Sequence, residues 1–253
     1  MRSIYPLGVL AALLTAGMTA PAHAQAQPGG MLELNGRSLS VTAREMKALA
    51  DVRLVLQNRN RALQDKALAA AQRIAQGPDA RHVLAAYRLE IANQRDDKAM
   101  RADALDILIA SDLTTAPNLA TYLSVRGGIA FERGEIPMAK ALWSRLAAMK
   151  PDDPTLLANL AQVHLAENDP AGAVDLIQRA MAGRTATGKP VPEGLYRQRL
   201  SIANQTKLAP AGFAAALALV RAYPSAQNWR VGLVVYRQLA QPQGGLEIDL
   251  LRL

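Results

Sequence analysis

The chain has 253 residues, half of them hydrophobic but only 4% aromatic, and its Ala and Leu content favours helix over sheet in either one compact domain or an elongated array. It has no cysteine and three histidines, which excludes disulfides and thiolate metal sites, argues against a multi-histidine site, and leaves no cofactor to expect. Its net charge of +8 is uneven: Arg179–Leu246 holds nine basic residues and one acid, Glu193, whereas Gln25–Gln178 balances 18 basic residues with 18 acidic ones.

Residues 1–24 read as a secretory signal peptide. Arg2 gives a short positive start, Leu7–Met18 is an apolar core too short for a good membrane span, and Ala22-His23-Ala24 fits the small-x-small cleavage pattern. No cysteine follows, so this is not a lipoprotein signal. No later stretch is apolar enough to predict a transmembrane helix. The expectation is an exported, mature protein starting near Gln25, placed in the periplasm of a Gram-negative cell. Residues 25–41 form a lead-in. Asn35-Gly36 is a hairpin signal. An isolated hairpin is marginal unless it packs on something, so an irregular extended segment is expected, with a short β-hairpin as the alternative.

Residues 42–118 read as two degenerate helical hairpins. Val41, Met46, Leu49, Val52, Val55 and Leu56 fall mostly on one face, which predicts a first helix from Thr42. Arg61–Gln76 is Ala-rich and stops at Gly77-Pro78. Asp79–Gln94 and Lys98–Ala110 follow, and Thr114–Pro117 breaks the pattern.

Residues 119–253 carry a more regular repeat. In Ala120–Pro154 the first helix has Leu123, Gly127 and Ala130; the second has Ala139, Trp143 and Leu146, and Pro151 ends it. Gly127 and Ala139 are small because two helices cross closely there. The next repeat has Leu157, Leu160, Ala161 and His164, then Ala173, Ile177 and Ala180, with Asp153-Pro154 and Asp169-Pro170 as helix starts. Arg184–Pro192 is a turn-rich insertion. Glu193–Thr206 and Ala209–Tyr223 form another pair. Asn228–Gln241 follows, with Trp229, Gly232, Leu233 and Tyr236, and Leu246–Leu253 is read as its short partner.

This pattern resembles the tetratricopeptide repeat, a helix–turn–helix unit of about 34 residues with W-x2-L-G-x2-Y, A-x3-F and P positions. Ala139-x3-Trp143 matches A-x3-F, and Trp229 to Tyr236 is similar to the first phrase with Gly and Leu transposed. The implied fold is all-α, an α-solenoid of antiparallel helical hairpins. The phrases GKPVPEGLYRQRL, YPSAQNWRVGLVVYRQL and LEIDLLRL resemble an exported alphaproteobacterial group of such proteins without an assigned activity. Leu246, Ile248, Leu250, Leu251 and Leu253 make a poor polar cap, so the last repeat reads as incomplete, in a fragment of a longer protein.

No catalytic constellation stands out. The Gly-Gly doublets are isolated, and Gly127-Gly128 is expected to serve close helix contact. No Gly-x-Ser-x-Gly elbow occurs. Asp96-Asp97 and Asp152-Asp153 read as caps and turns. His82 and His164 read as structural, and the scattered methionines as core filler. The resemblance implies a concave groove lined by the first helices, which in such arrays holds a peptide or helix. Phe131, Gln162, Asn204, Arg197, Arg230 and Arg237 are the candidate groove residues, with the arginines converging on a carboxylate or other anion. The leading reading is a periplasmic scaffold or adaptor for another envelope protein. The alternative is a binder of an anionic envelope polymer or ligand through the basic last third; an enzyme is the weakest reading. Nucleic acid suits the charge but clashes with export and with the few aromatics.

Overall fold

The computed structural model describes residues 31–34, 37–57, 59–205, 207 and 209–239. The expected signal peptide with Ala22 and Ala24, and the expected helix at Leu246–Leu253, lie outside them. The chain divides into two compact units between Arg95 and Asp96.

The first unit begins with strands β1 (Met31–Leu34) and β2 (Arg37–Ser40), paired antiparallel with Met31 opposite Ser40 and Leu34 opposite Arg37. The lead-in is therefore a hairpin, not an irregular segment. It meets the condition that makes a hairpin stable: Leu39 is fully buried, and the Ser40 amide donates to Asp79 Oδ2 of the following helices at 2.6 Å. Helices α1 (Ala43–Leu56), α2 (Arg61–Ile74) and α3 (Pro78–Arg95) follow. Leu49, Val52 and Leu56 of α1 meet Leu68 and Ala71 of α2 and Val83 and Leu84 of α3 as the core. Burying each leucine contributes about 2 kcal/mol.

Glu45 joins these helices. It closes a capping box with Thr42, whose N–H donates to Glu45 Oε2 at 2.9 Å, while its other oxygen accepts the amides of Gln76 at 3.1 Å and Gly77 at 2.9 Å. One carboxylate thus fixes both the start of α1 and the turn into α3. Buried Gln64 of α2 makes a second tie. Its amide donates to Gln94, and its oxygen accepts from Arg95 Nε at 2.9 Å.

The second unit contains α4 (Lys98–Ala110), α5 (Ala116–Glu132), α6 (Ile136–Met149), α7 (Pro154–Ala166), α8 (Pro170–Ala186), α9 (Glu193–Gln205), α10 (Ala209–Ala222) and α11 (Ala226–Leu239). Each of α5/α6, α7/α8 and α9/α10 packs as a hairpin, and each hairpin docks on the next helix. A shift of 34 residues carries buried positions onto buried positions: Leu123 onto Leu157, Gly127 onto Ala161, Ala139 onto Ala173, Trp143 onto Ile177, Leu146 onto Ala180. The next shift is 39, because α8 runs on past the length of α6 and the segment after it is also longer: Ala173 passes to Gly212 and Ile177 to Ala216, both buried. Helix α11 buries Val235 and Tyr236 beside α10.

The turns repeat as well. Gly134 (φ 74°), Asn168 (φ 59°) and Lys207 (φ 56°) follow the same spacing, each in the left-handed region just past the first helix of its hairpin. At Gly134 the Glu135 amide bonds the carbonyl of Ala130, and at Asn168 the Asp169 amide bonds that of His164. Both are Schellman closures, which require a left-handed residue. The second hairpin shows how little aromatic side chains matter here: an aliphatic Ile177 fills the place of Trp143.

Candidate interaction surface

The two adjacent glycines of α5 differ. A Cβ on Gly127 would lie 2.3 Å from Trp143 Nε1 and 2.6 Å from its Cδ1, so the indole lies flush against bare backbone. The indole N–H donates to the Ser124 carbonyl at 3.2 Å, and the ring stands 5.7 Å from Phe131. A Cβ on Gly128 would meet nothing within 4 Å. The expectation that the pair serves helix contact holds for Gly127 and fails for Gly128, which faces away from α6. Of the other repeat positions, Ala139, Leu160, Ala161, Ala173, Ala180 and Tyr236 are buried, Trp229 is half-buried, and Pro151 is exposed just past α6.

The candidate groove residues occupy successive first helices. Phe131 on α5 is half-buried against Trp143; Gln162 on α7 and Asn204 on α9 are half-buried. Neither amide side chain has a hydrogen bond among the described residues. The three arginines are not equivalent. Arg197 bonds Glu193 one turn earlier, at 2.8–2.9 Å. Glu193 also accepts from Asn228 of α11 at 2.9 Å, and Asn228 donates to the Tyr223 carbonyl while the Tyr223 hydroxyl donates to the Val191 carbonyl. Arg197 therefore belongs to a latch joining the starts of α9 and α11 to the end of α10. The bonds from Asn228, then Arg197, hold the Glu193 carboxyl below its usual range. Arg230 and Arg237 lie on α11, exposed and two turns apart. The structure brings these two together and assigns the third to a structural pair.

Arg126 and Arg199 escape the sequence reading, and His164, read as structural, takes a definite partner. Arg126, almost fully buried on α5, takes Asp106 of α4 edge-on through Nε at 2.8 Å and Nη2 at 3.2 Å, with Glu135 at 3.5 Å. Burial opposes its charge, but Asp106 and Glu135 outweigh that and push the group up. A lone cation at an apolar phase of α5 was the available signal. His164 bonds Asp169 at 2.7 Å, and Asp169 also accepts the Gly172 amide at 2.9 Å, so this histidine supports the start of α8. The Gly172 amide first, and then His164, hold Asp169 below the usual carboxylate range. Arg199 of α9 takes the place 39 residues after Leu160. It is half-buried, its Nε is shielded without a hydrogen-bond partner among the described residues, and burial pushes its guanidinium below the ordinary arginine range. Among the described residues no group of three or more His, Asp or Glu is placed to hold a metal ion, and no helix is long and apolar enough to cross a membrane.

No family model and no curated protein matches the sequence. Among solved structures the chain is similar to PilW, a widely conserved type IV pilus biogenesis factor, with a TM-score of 0.49 and 16% identity over 75% of this chain and 82% of that one. It is also similar to MamA, residues 41 to the end, from Desulfovibrio magneticus RS-1, with a TM-score of 0.45 and 12% identity over 73% of this chain and 99% of that one.

Proposed function

We propose that the chain is an exported tetratricopeptide-like scaffold that binds a protein partner in the cell envelope through the exposed faces of its first helices, and that it is not an enzyme. The carrying observation is how the polar side chains divide. Those at helix ends and junctions, Glu45, Arg126, Asp169 and Glu193, are each bonded to a neighbouring helix or cap, and their displaced pKa values have structural causes. Those on the first helices, Gln162, Asn204, Arg230 and Arg237, have no side-chain hydrogen bond or ion pair among the described residues, which suits them to an outside partner. The leader-like residues 1–24 support export to the periplasm. The tail phrases support membership of the exported alphaproteobacterial group they resemble. The uneven charge favours a second reading, an anionic envelope polymer held by the basic third.

The test is capture of envelope proteins by the tagged chain from the exporting cell, read by mass spectrometry at low and high salt. The scaffold reading expects a discrete partner that a combined Phe131→Ala, Gln162→Ala and Asn204→Ala change releases. Capture of polysaccharide or lipid alone, lost in salt, would support the polymer instead. Fractionation with N-terminal sequencing checks export: the mature start is expected near Gln25.

A further inference from the structure

We infer that the outward face of α11 is a docking site for an acidic amphipathic helix of a partner protein. The inference rests on the scaffold reading and names the chemistry of one part of its surface. Helix α11 (Ala226–Leu239) buries Asn228, Gly232, Val235 and Tyr236 toward its own unit. Helical spacing puts the exposed residues on one outward strip: Val234 near its centre, Val231 at the border beside buried Val235, and Arg230 and Arg237 on the other side. Val234 is 51% exposed and Val231 36%, two of the few large aliphatic side chains left in solvent among the described residues.

Neither arginine pairs with a carboxylate among the described residues. The described part of the chain after Asp175 contains a single acid, Glu193, and Arg197 and Asn228 already occupy it. An aliphatic strip beside two cations, with no acid among the described residues to neutralise them, is complementary to a helix carrying aliphatic residues at spacings of three and four and acids on one border. Two turns separate Arg230 from Arg237, about 10 Å along the axis, so the carboxylates that meet them must recur with the same seven-residue period. Arg126 shows the contact to expect, a guanidinium taking one carboxylate edge-on. A second copy of the chain is a poor occupant, because it would set these arginines against one another.

The experiment uses the full chain and a synthetic helix of about two heptads made of Leu and Glu, with Leu at the a and d positions. A scrambled peptide of the same composition and a Lys-for-Glu peptide are the controls, and binding is read by fluorescence anisotropy. The patterned acidic peptide is expected to bind at least about tenfold tighter than the scrambled one, and Arg230→Glu with Arg237→Glu to remove that difference. The Lys-for-Glu peptide should then bind the double variant, and Val234→Asp should weaken the acidic peptide while α11 keeps its helical signal. Equal binding of patterned and scrambled peptides would overturn the inference in favour of unspecific charge attraction. So would self-association abolished by Val234→Asp without peptide binding, which assigns the face to a second copy. If these variants leave captured envelope partners unchanged while the Phe131, Gln162 and Asn204 changes release them, the scaffold reading stands and this inference fails.

Discussion

Replacing Gly127 and Gly128 by alanine, one at a time, should move stability in opposite directions, although the two sit side by side in one helix. At Gly127 the new methyl would lie 2.3, 2.6 and 2.8 Å from three atoms of the Trp143 ring, where carbon contacts normally settle near 3.5–4.0 Å. The ring must retreat by about 1 Å, straining its packing at about 1–3 kcal/mol. It also loses the bond to the Ser124 carbonyl, about 1 kcal/mol more. The better helix propensity of alanine returns about 1 kcal/mol, leaving a net loss of about 1–3 kcal/mol. At Gly128 only the propensity gain remains, because the methyl enters open space, so stability should rise by up to about 1 kcal/mol. Urea unfolding of the full chain followed by far-UV circular dichroism gives both signs, and near-ultraviolet dichroism reports whether the indole moved. If Gly127→Ala is as stable as the parent, or both variants shift the same way, the close contact between α5 and the Trp143 ring is wrong.

Two further outcomes follow from buried charge. Glu45 has its pKa lowered, first by the Thr42 amide and then by that of Gly77. The folded value lies below the unfolded one, so its stabilisation is complete above the ordinary glutamate range near pH 4.3 and is lost as pH falls through the lowered value. Glu45→Gln should therefore weaken the first unit at neutral pH and flatten its loss of stability below about pH 5, read from exchange of the Gln76 and Gly77 amides. An unchanged acid profile would mean that the clamp carries no weight. Arg199→Leu restores the aliphatic residue that Leu160 supplies one repeat earlier, and should stabilise α9–α11 by about 1 kcal/mol or more, seen as a higher urea midpoint. A lower midpoint would place the guanidinium in a contact it needs.

The helices were legible because their punctuation is local. Asp153-Pro154 and Asp169-Pro170 start α7 and α8 as caps with proline in the first turn, and Gly127 beside the Ala139-x3-Trp143 pair fixes the frame of the best repeat. The hairpin at β1–β2 was undervalued because its stability comes from Leu39 and from Asp79, 39 residues beyond Ser40, a contact that no local pattern carries. The groove arginines show the same limit. The pairing of Arg197 with Glu193 follows a local spacing of four, but the bond that Asn228 adds to the same carboxylate comes from 35 residues away.

Arg199 also bears on how the second unit yields under load. The α5–α8 helices share one apolar cluster, and Leu200, Ala215, Ala216, Leu219 and Val235 form another. From α9 only Leu195 and Ile202 are seated in the first cluster, and Arg199 stands on the same face between them without a counter-ion among the described residues. In a chain of repeats held by nearest-neighbour contacts, the weakest seam decides where separation starts. A pulling force should therefore part the α8–α9 junction first, releasing α9–α11 as one body while α5–α8 stays folded.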